Sequence, residues 1–133
     1  MNDEEFLKAF EDASLDPKLF DHKAHIRMGW IYVMRYPLAE AIEKFGRALR
    51  AYTRALEAEA KYHETITWFY MLLIAERQAA HPAATFAAFL GKNRDLVAKP
   101  SILTRYYRAE TLASDRARYH YVLPDGAMVK DAA

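Results

Sequence analysis

Leu38-Ala39-Glu40-Ala41-Ile42-Glu43-Lys44-Phe45-Gly46-Arg47-Ala48-Leu49-Arg50-Ala51-Tyr52-Thr53-Arg54-Ala55-Leu56 is the stretch on which the fold turns. Leu38, Ile42, Phe45, Leu49, Tyr52 and Leu56 recur at alternating steps of four and three, whereas Glu43, Lys44, Arg47, Arg50 and Arg54 fall elsewhere. That period puts one apolar stripe along one side of an α-helix and the charges on the other. A helix with one apolar stripe must bury it against neighbours, so the flanking segments are expected to be helical too.

Upstream, Pro37 suits the first turn of this helix and disfavours helical geometry at Tyr36. Asp21 has the chemistry of an N-cap, so a second helix is expected from Asp21 to near Tyr36. Before it, Phe6, Leu7 and Phe10 mark a first helix over Glu4 to Ala13, broken by Ser14-Leu15-Asp16-Pro17.

Downstream, a fourth helix is expected from His63 to Ala80, ended by His81-Pro82; Trp68 to Ile74 is apolar on every side, as in a central buried helix. Ala83 to Leu90 reads as a fifth helix with Gly91 as its C-cap, followed by a short turn or helix over Arg94 to Ala98. The remainder suggests short helices at Ile102 to Tyr107 and Asp115 to Tyr121 and a turn at Pro124-Asp125-Gly126. No alternating strand pattern, hairpin signal or internal repeat appears. The expectation is one all-α domain over residues 1–133: a small antiparallel helical bundle whose C-terminal segment carries short helices.

Composition narrows the functional classes. A chain of 133 residues, 53% hydrophobic and 28% charged, has the size and balance of one globular domain. Its 19 Lys and Arg against 18 Asp and Glu leave a formal charge of +1, which gives no field favouring nucleic acid. The start Met1-Asn2-Asp3-Glu4-Glu5 is acidic where a secretory leader is basic. The longest apolar run, Ile66 to Ala75, is about half the roughly twenty residues a spanning helix needs, so no membrane partner is expected. With no cysteine, disulfides and thiolate ligands are excluded, which fits a cytoplasmic protein.

The candidate chemistry lies in His22 and His25, three positions apart at the start of the second helix, and in Tyr62-His63-Glu64-Thr65 at the start of the fourth. Spacing of three puts two imidazoles on adjoining parts of one helix face, where both can reach one ion. A site of His22, His25 and His63, with Glu64 as fourth ligand or proton-handling base, would suit Zn, Fe, Cu or Ni. Such a metal would polarise a small substrate or activate water or oxygen. Chain length sets the condition: a straight third helix of about 33 Å would carry His63 past the pair, since the second spans only about 22 Å. The site requires the third helix to stop near Leu56 or Glu57 to Lys61 to fold back. Otherwise Thr67 and Tyr70 lie more nearly level with His22.

Other residues have plainer readings. Gly29 permits close helix packing, and Thr65 and Thr67 cap or bond to the preceding turn. His81 and His120 suit cap and surface roles, and the large aromatics of the apolar helices suit the core. Arg105 and Arg108, flanking Tyr106-Tyr107, can receive a carboxylate or phosphate on a substrate. The motif Phe20-Asp21-His22-Lys23-Ala24-His25, with Lys61-Tyr62-His63-Glu64-Thr65 and Leu123-Pro124-Asp125, resembles a group of small bacterial proteins of uncharacterised function. That resemblance runs from Phe20 to Asp125 and implies a complete small protein without supplying an activity. Three functions stay open: a mononuclear metalloenzyme, a metal-free small-molecule binder, and a structural module in which the third helix's face or the tyrosine-rich tail mediates homo-oligomerisation and the histidines are packing residues.

Overall fold

Helix after helix starts where a side chain can receive an orphan backbone N–H. In the computed structural model, which describes residues 1–127, Asn2 and Glu5 form a reciprocal capping box that opens α1 (Asp3–Glu11). Asp21 accepts from the Ala24 N–H at 2.9 Å and opens α2 (His22–Arg35), as its chemistry predicts. Pro37 precedes α3 (Leu38–Ala55), and His63 opens α4 (Glu64–Ala80) by accepting from the Ile66 N–H on Nδ1.

Short elements follow: α5 (Phe86–Lys92), α6 (Leu103–Tyr106), α7 (Ala109–Ala113) and α8 (Asp115–Tyr119). Single 3₁₀ turns occupy Pro17–Leu19, Glu59–Lys61 and Arg94–Val97. The described residues contain no strand, so the all-helical class holds. No helix among them is long and apolar enough to cross a membrane.

α4 is the central element, packing against α2, α3 and α8. Its Phe69, Met71 and Ile74 meet Ile26, Met28 and Ile31 of α2 and Ile42, Phe45 and Leu49 of α3 in one continuous core. Gly29 eases the α2–α4 approach: a Cβ there would meet Ile74 Cδ1 and Met71 Sδ, each at 3.1 Å. Close packing is therefore a sufficient role for that glycine.

Two expected boundaries shift for one reason. α1 and α3 both end in a paired-bond C-terminal motif whose left-handed residue is not glycine. After α1, Ser14 N–H reaches the Ala9 carbonyl and Ala13 N–H that of Phe10, with Ala13 at φ 58°. After α3, Ala58 N–H reaches Thr53 and Glu57 N–H reaches Arg54, with Glu57 at φ 55°. Conversely Gly91 is not a cap: it lies inside α5, which Thr85 opens and Asn93 closes. The short α7 carries no periodic signal and escapes the sequence reading.

The C-terminal segment docks by polar anchors. Thr65, fully buried on α4, donates to the His120 carbonyl at 2.7 Å and accepts from the Val122 N–H at 3.1 Å. At the expected turn, Asp125 and Gly126 N–H groups both reach the Tyr106 carbonyl. A Cβ on Gly126 would come within 2.7 Å of that backbone, which explains the glycine.

Candidate functional site

α2, α3 and α4 do not close completely on one another: they leave a cavity of about 450 Å³. Its floor is apolar and buried, built from Ile26 and Gly29 of α2, Phe45 and Leu49 of α3, and Met71 and Ile74 of α4. Its mouth is set by exposed residues: Pro17, Asp21, His22, Leu56 and Lys61. Between floor and mouth stand His25, His63, Tyr62, Thr67 and Tyr70.

The condition placed on the third helix is met. α3 stops at Ala55, Glu57 turns left-handed, and the Glu59–Lys61 turn folds the chain back to Tyr62 and His63. His22, His25 and His63 consequently border one cavity, together with Thr67 and Tyr70.

They are not arranged as a ligand set. Among the described residues no three His, Cys, Asp or Glu side chains form a group placed to hold a metal ion. His63 is committed at both nitrogens: Nδ1 accepts from Ile66 N–H at 3.2 Å, and Nε2 lies 2.8 Å from the Leu112 carbonyl. A carbonyl only accepts, so Nε2 carries the proton. His22 Nε2 likewise donates to the Leu96 carbonyl at 2.8 Å, which leaves Nδ1 as its acceptor.

Glu64 faces away from the cavity. Its carboxylate accepts from Tyr62 Oη at 2.5 Å and sits 3.7 Å from Arg50, on the outer side of α3 and α4. Tyr62, pushed up to about 12 by burial first and by Glu64 second, is a proton donor to that carboxylate. Arg105 and Arg108 do not border the cavity: Arg105 lies exposed on α6, and Arg108 pairs with Glu110 at 3.2 Å.

His25 is the uncommitted group. Its ring stacks on Phe20 with centroids 3.9 Å apart and planes at 29°. It makes no hydrogen bond among the described residues, yet no buried nitrogen is left without a partner, so its ring nitrogens open onto accessible space. Desolvation first, and the neighbouring His22 second, lower its pKa from 6.5 to about 4, against a smaller opposing effect of Asp21. At neutral pH His25 is thus an uncharged ring offering one N–H and one lone pair to the cavity.

Phe20 belongs to the site through that stack, and its position five residues before His25 gives no periodic signal. The Leu96 and Leu112 carbonyls that orient His22 and His63 are backbone groups from distant turns, invisible in residue identity. Thr67 donates to the His63 carbonyl at 2.8 Å, the plain role expected of it. The expected roles of His81 and His120 also fit, since His81 caps α4 and both are exposed.

Set against protein-family models, curated proteins and solved structures, the chain matches none.

Proposed function

We propose that the protein binds a small, mostly apolar molecule in the cavity between α2, α3 and α4, without a metal. One observation carries this reading: an apolar-floored cavity of about 450 Å³ is bordered by a neutral His25 whose nitrogens no group among the described residues uses. That volume lies within the range of about 300 to 1,000 Å³ usual for ligand sites, and a few placed polar groups on apolar walls are their usual chemistry. The apolar floor supplies affinity, and His25 fixes orientation with a hydrogen bond.

The test is a homologous series of n-alkanols, hexanol to octanol, titrated by calorimetry. Each added methylene should tighten binding by about fourfold, the equivalent of about 0.8 kcal/mol of apolar burial. Ala58 is a half-buried residue that borders the cavity outside the core, and Ala58→Trp should weaken every alcohol. Absence of saturable binding across the series, or an affinity indifferent to Ala58→Trp, would reject the reading.

A second reading is kept for the convergence of three histidines on one cavity: a mononuclear Zn, Fe, Cu or Ni bound by His22, His25 and His63. It requires the His63 Nδ1 to give up the Ile66 N–H, while its Nε2–H can stay on the Leu112 carbonyl. Metal analysis of protein purified without an affinity tag separates the two. Near-stoichiometric metal that falls on His25→Ala supports this second reading, and the metal-free protein's uptake of alcohols supports the first.

A further inference from the structure

We infer that the ligand of this cavity is an amphipathic carboxylate, its apolar body on the Gly29, Met71 and Ile74 floor and its headgroup between His25 and Lys61. The inference rests on the small-molecule reading above and concerns the ligand's charge.

The cavity's border holds one carboxylate and one ammonium group, and they are not equivalent. Asp21 is already used: its Oδ1 accepts from Ala24 N–H, and its charge is set against the positive end of α2. Glu64, next to His63 in sequence, is turned outward to Tyr62 and Arg50. Lys61 is exposed at the rim and enters no salt bridge among the described residues. The imbalance favours an anion at the mouth.

Hydrogen bonding points the same way. The N–H groups of His22 and His63 go to the Leu96 and Leu112 carbonyls, so of the three histidines His25 is the one whose N–H is left to a ligand. A carboxylate accepts a hydrogen bond from that N–H and an ion pair from Lys61, whereas an ammonium group would face Lys61 as a like charge. Both helices that supply the histidines also begin here, and their positive ends add to the same preference.

Octanoate, 1-octanol and octylamine, compared by calorimetry near neutral pH, share one chain and differ in the headgroup. Octanoate should bind about tenfold tighter than octanol, through one charge-assisted hydrogen bond and one exposed ion pair, and octylamine should bind more weakly than either. Lys61→Ala should cost octanoate about threefold and leave octanol unchanged. His25→Phe should weaken octanoate more than octanol and cut the octanoate preference to the roughly threefold that Lys61 supplies.

A second measurement covers the case in which the His25→Phe ring packs poorly. Nitrogen-detected NMR titration of the wild-type protein should show the His25 pKa rising when octanoate binds and holding when octanol binds. The titratable groups that border the cavity with that ring are Asp21 and His22 at the start of α2, Tyr52 on α3, and Lys61, Tyr62, His63 and Tyr70 from the connection and α4; all are present in both complexes.

Octanol or octylamine binding as tightly as octanoate overturns the carboxylate assignment and leaves a small-molecule site standing. Failure of the alcohol series overturns both. An octanoate preference that survives both Lys61→Ala and His25→Phe undiminished also overturns it, since the headgroup then sits elsewhere.

Discussion

His25 illustrates how a polar side chain is held uncharged by its surroundings rather than by a partner. Desolvation within the cavity first, and the neighbouring His22 second, lower its pKa from 6.5 to about 4. The sign of the stability effect follows. The unfolded chain takes up a proton below its pKa of 6.5 while the native ring does not, so stability is full above that pH and falls as pH drops from 6.5 toward 4. The loss is on the order of 3 kcal/mol, and denaturant unfolding should show a slope in that window that is absent in His25→Phe. Gly29 gives a second expectation. Gly29→Ala demands shifts of a few tenths of an ångström from the flexible ends of Met71 and Ile74, offset by better helix propensity, so it should be close to neutral. Gly29→Leu overpacks the α2–α4 contact and should cost about 1–3 kcal/mol in the same unfolding measurement.

Helices reveal why some boundaries could be read from residues and others could not. Starts were legible, because Asp21 and Pro37 act through their own side chains, and α3 was legible because a period of alternating fours and threes has one structural meaning. Ends were less so. The motif that stops α1 and α3 normally advertises itself by glycine, and here Ala13 and Glu57 occupy the left-handed position instead. The glycine that did look like a cap, Gly91, sits in a helical conformation with open space around its α-carbon. Opposite substitutions should therefore both stabilise. Glu57→Gly relieves a left-handed cost of about 1–2 kcal/mol, reduced by glycine's greater freedom when unfolded, for a net gain of up to about 1 kcal/mol. Gly91→Ala should gain up to about 1 kcal/mol by removing that freedom where the helix already holds. Midpoints of denaturant unfolding check both, and a loss at either position would contradict the conformations described. The docking of the C-terminal segment depends on Thr65, whose hydroxyl was expected only to serve its own helix. Thr65→Val keeps the shape and removes both bonds, leaving the His120 carbonyl and Val122 N–H without their partner. It should cost about 1–3 kcal/mol and speed amide exchange over Tyr121 to Gly126.

The molecule as a whole joins these elements around a space it does not fill. That the three histidines meet one cavity was legible from chain direction, given a reversal after Leu56; that His22 and His63 each donate to a backbone carbonyl was not. Those carbonyls belong to Leu96 and Leu112, which reach the rings only after the C-terminal half has wrapped the three long helices. A cavity bordered by the three central helices ties occupancy to global stability, because the floor residues Ile26, Phe45, Leu49, Met71 and Ile74 are also the core. Any molecule that binds the folded chain alone must raise its unfolding free energy by an amount set by concentration. With 1-octanol at about one hundred times its dissociation constant, that increment is about 2.7 kcal/mol. The wild-type protein should show it as a rightward shift of the denaturant midpoint that grows with octanol concentration. Ala58→Trp, folded normally but closed at the rim, should show little of it at the same concentration. A midpoint that moves equally in both proteins would mean that octanol acts on the solvent or the surface, and the cavity would lose its claim to be the binding site.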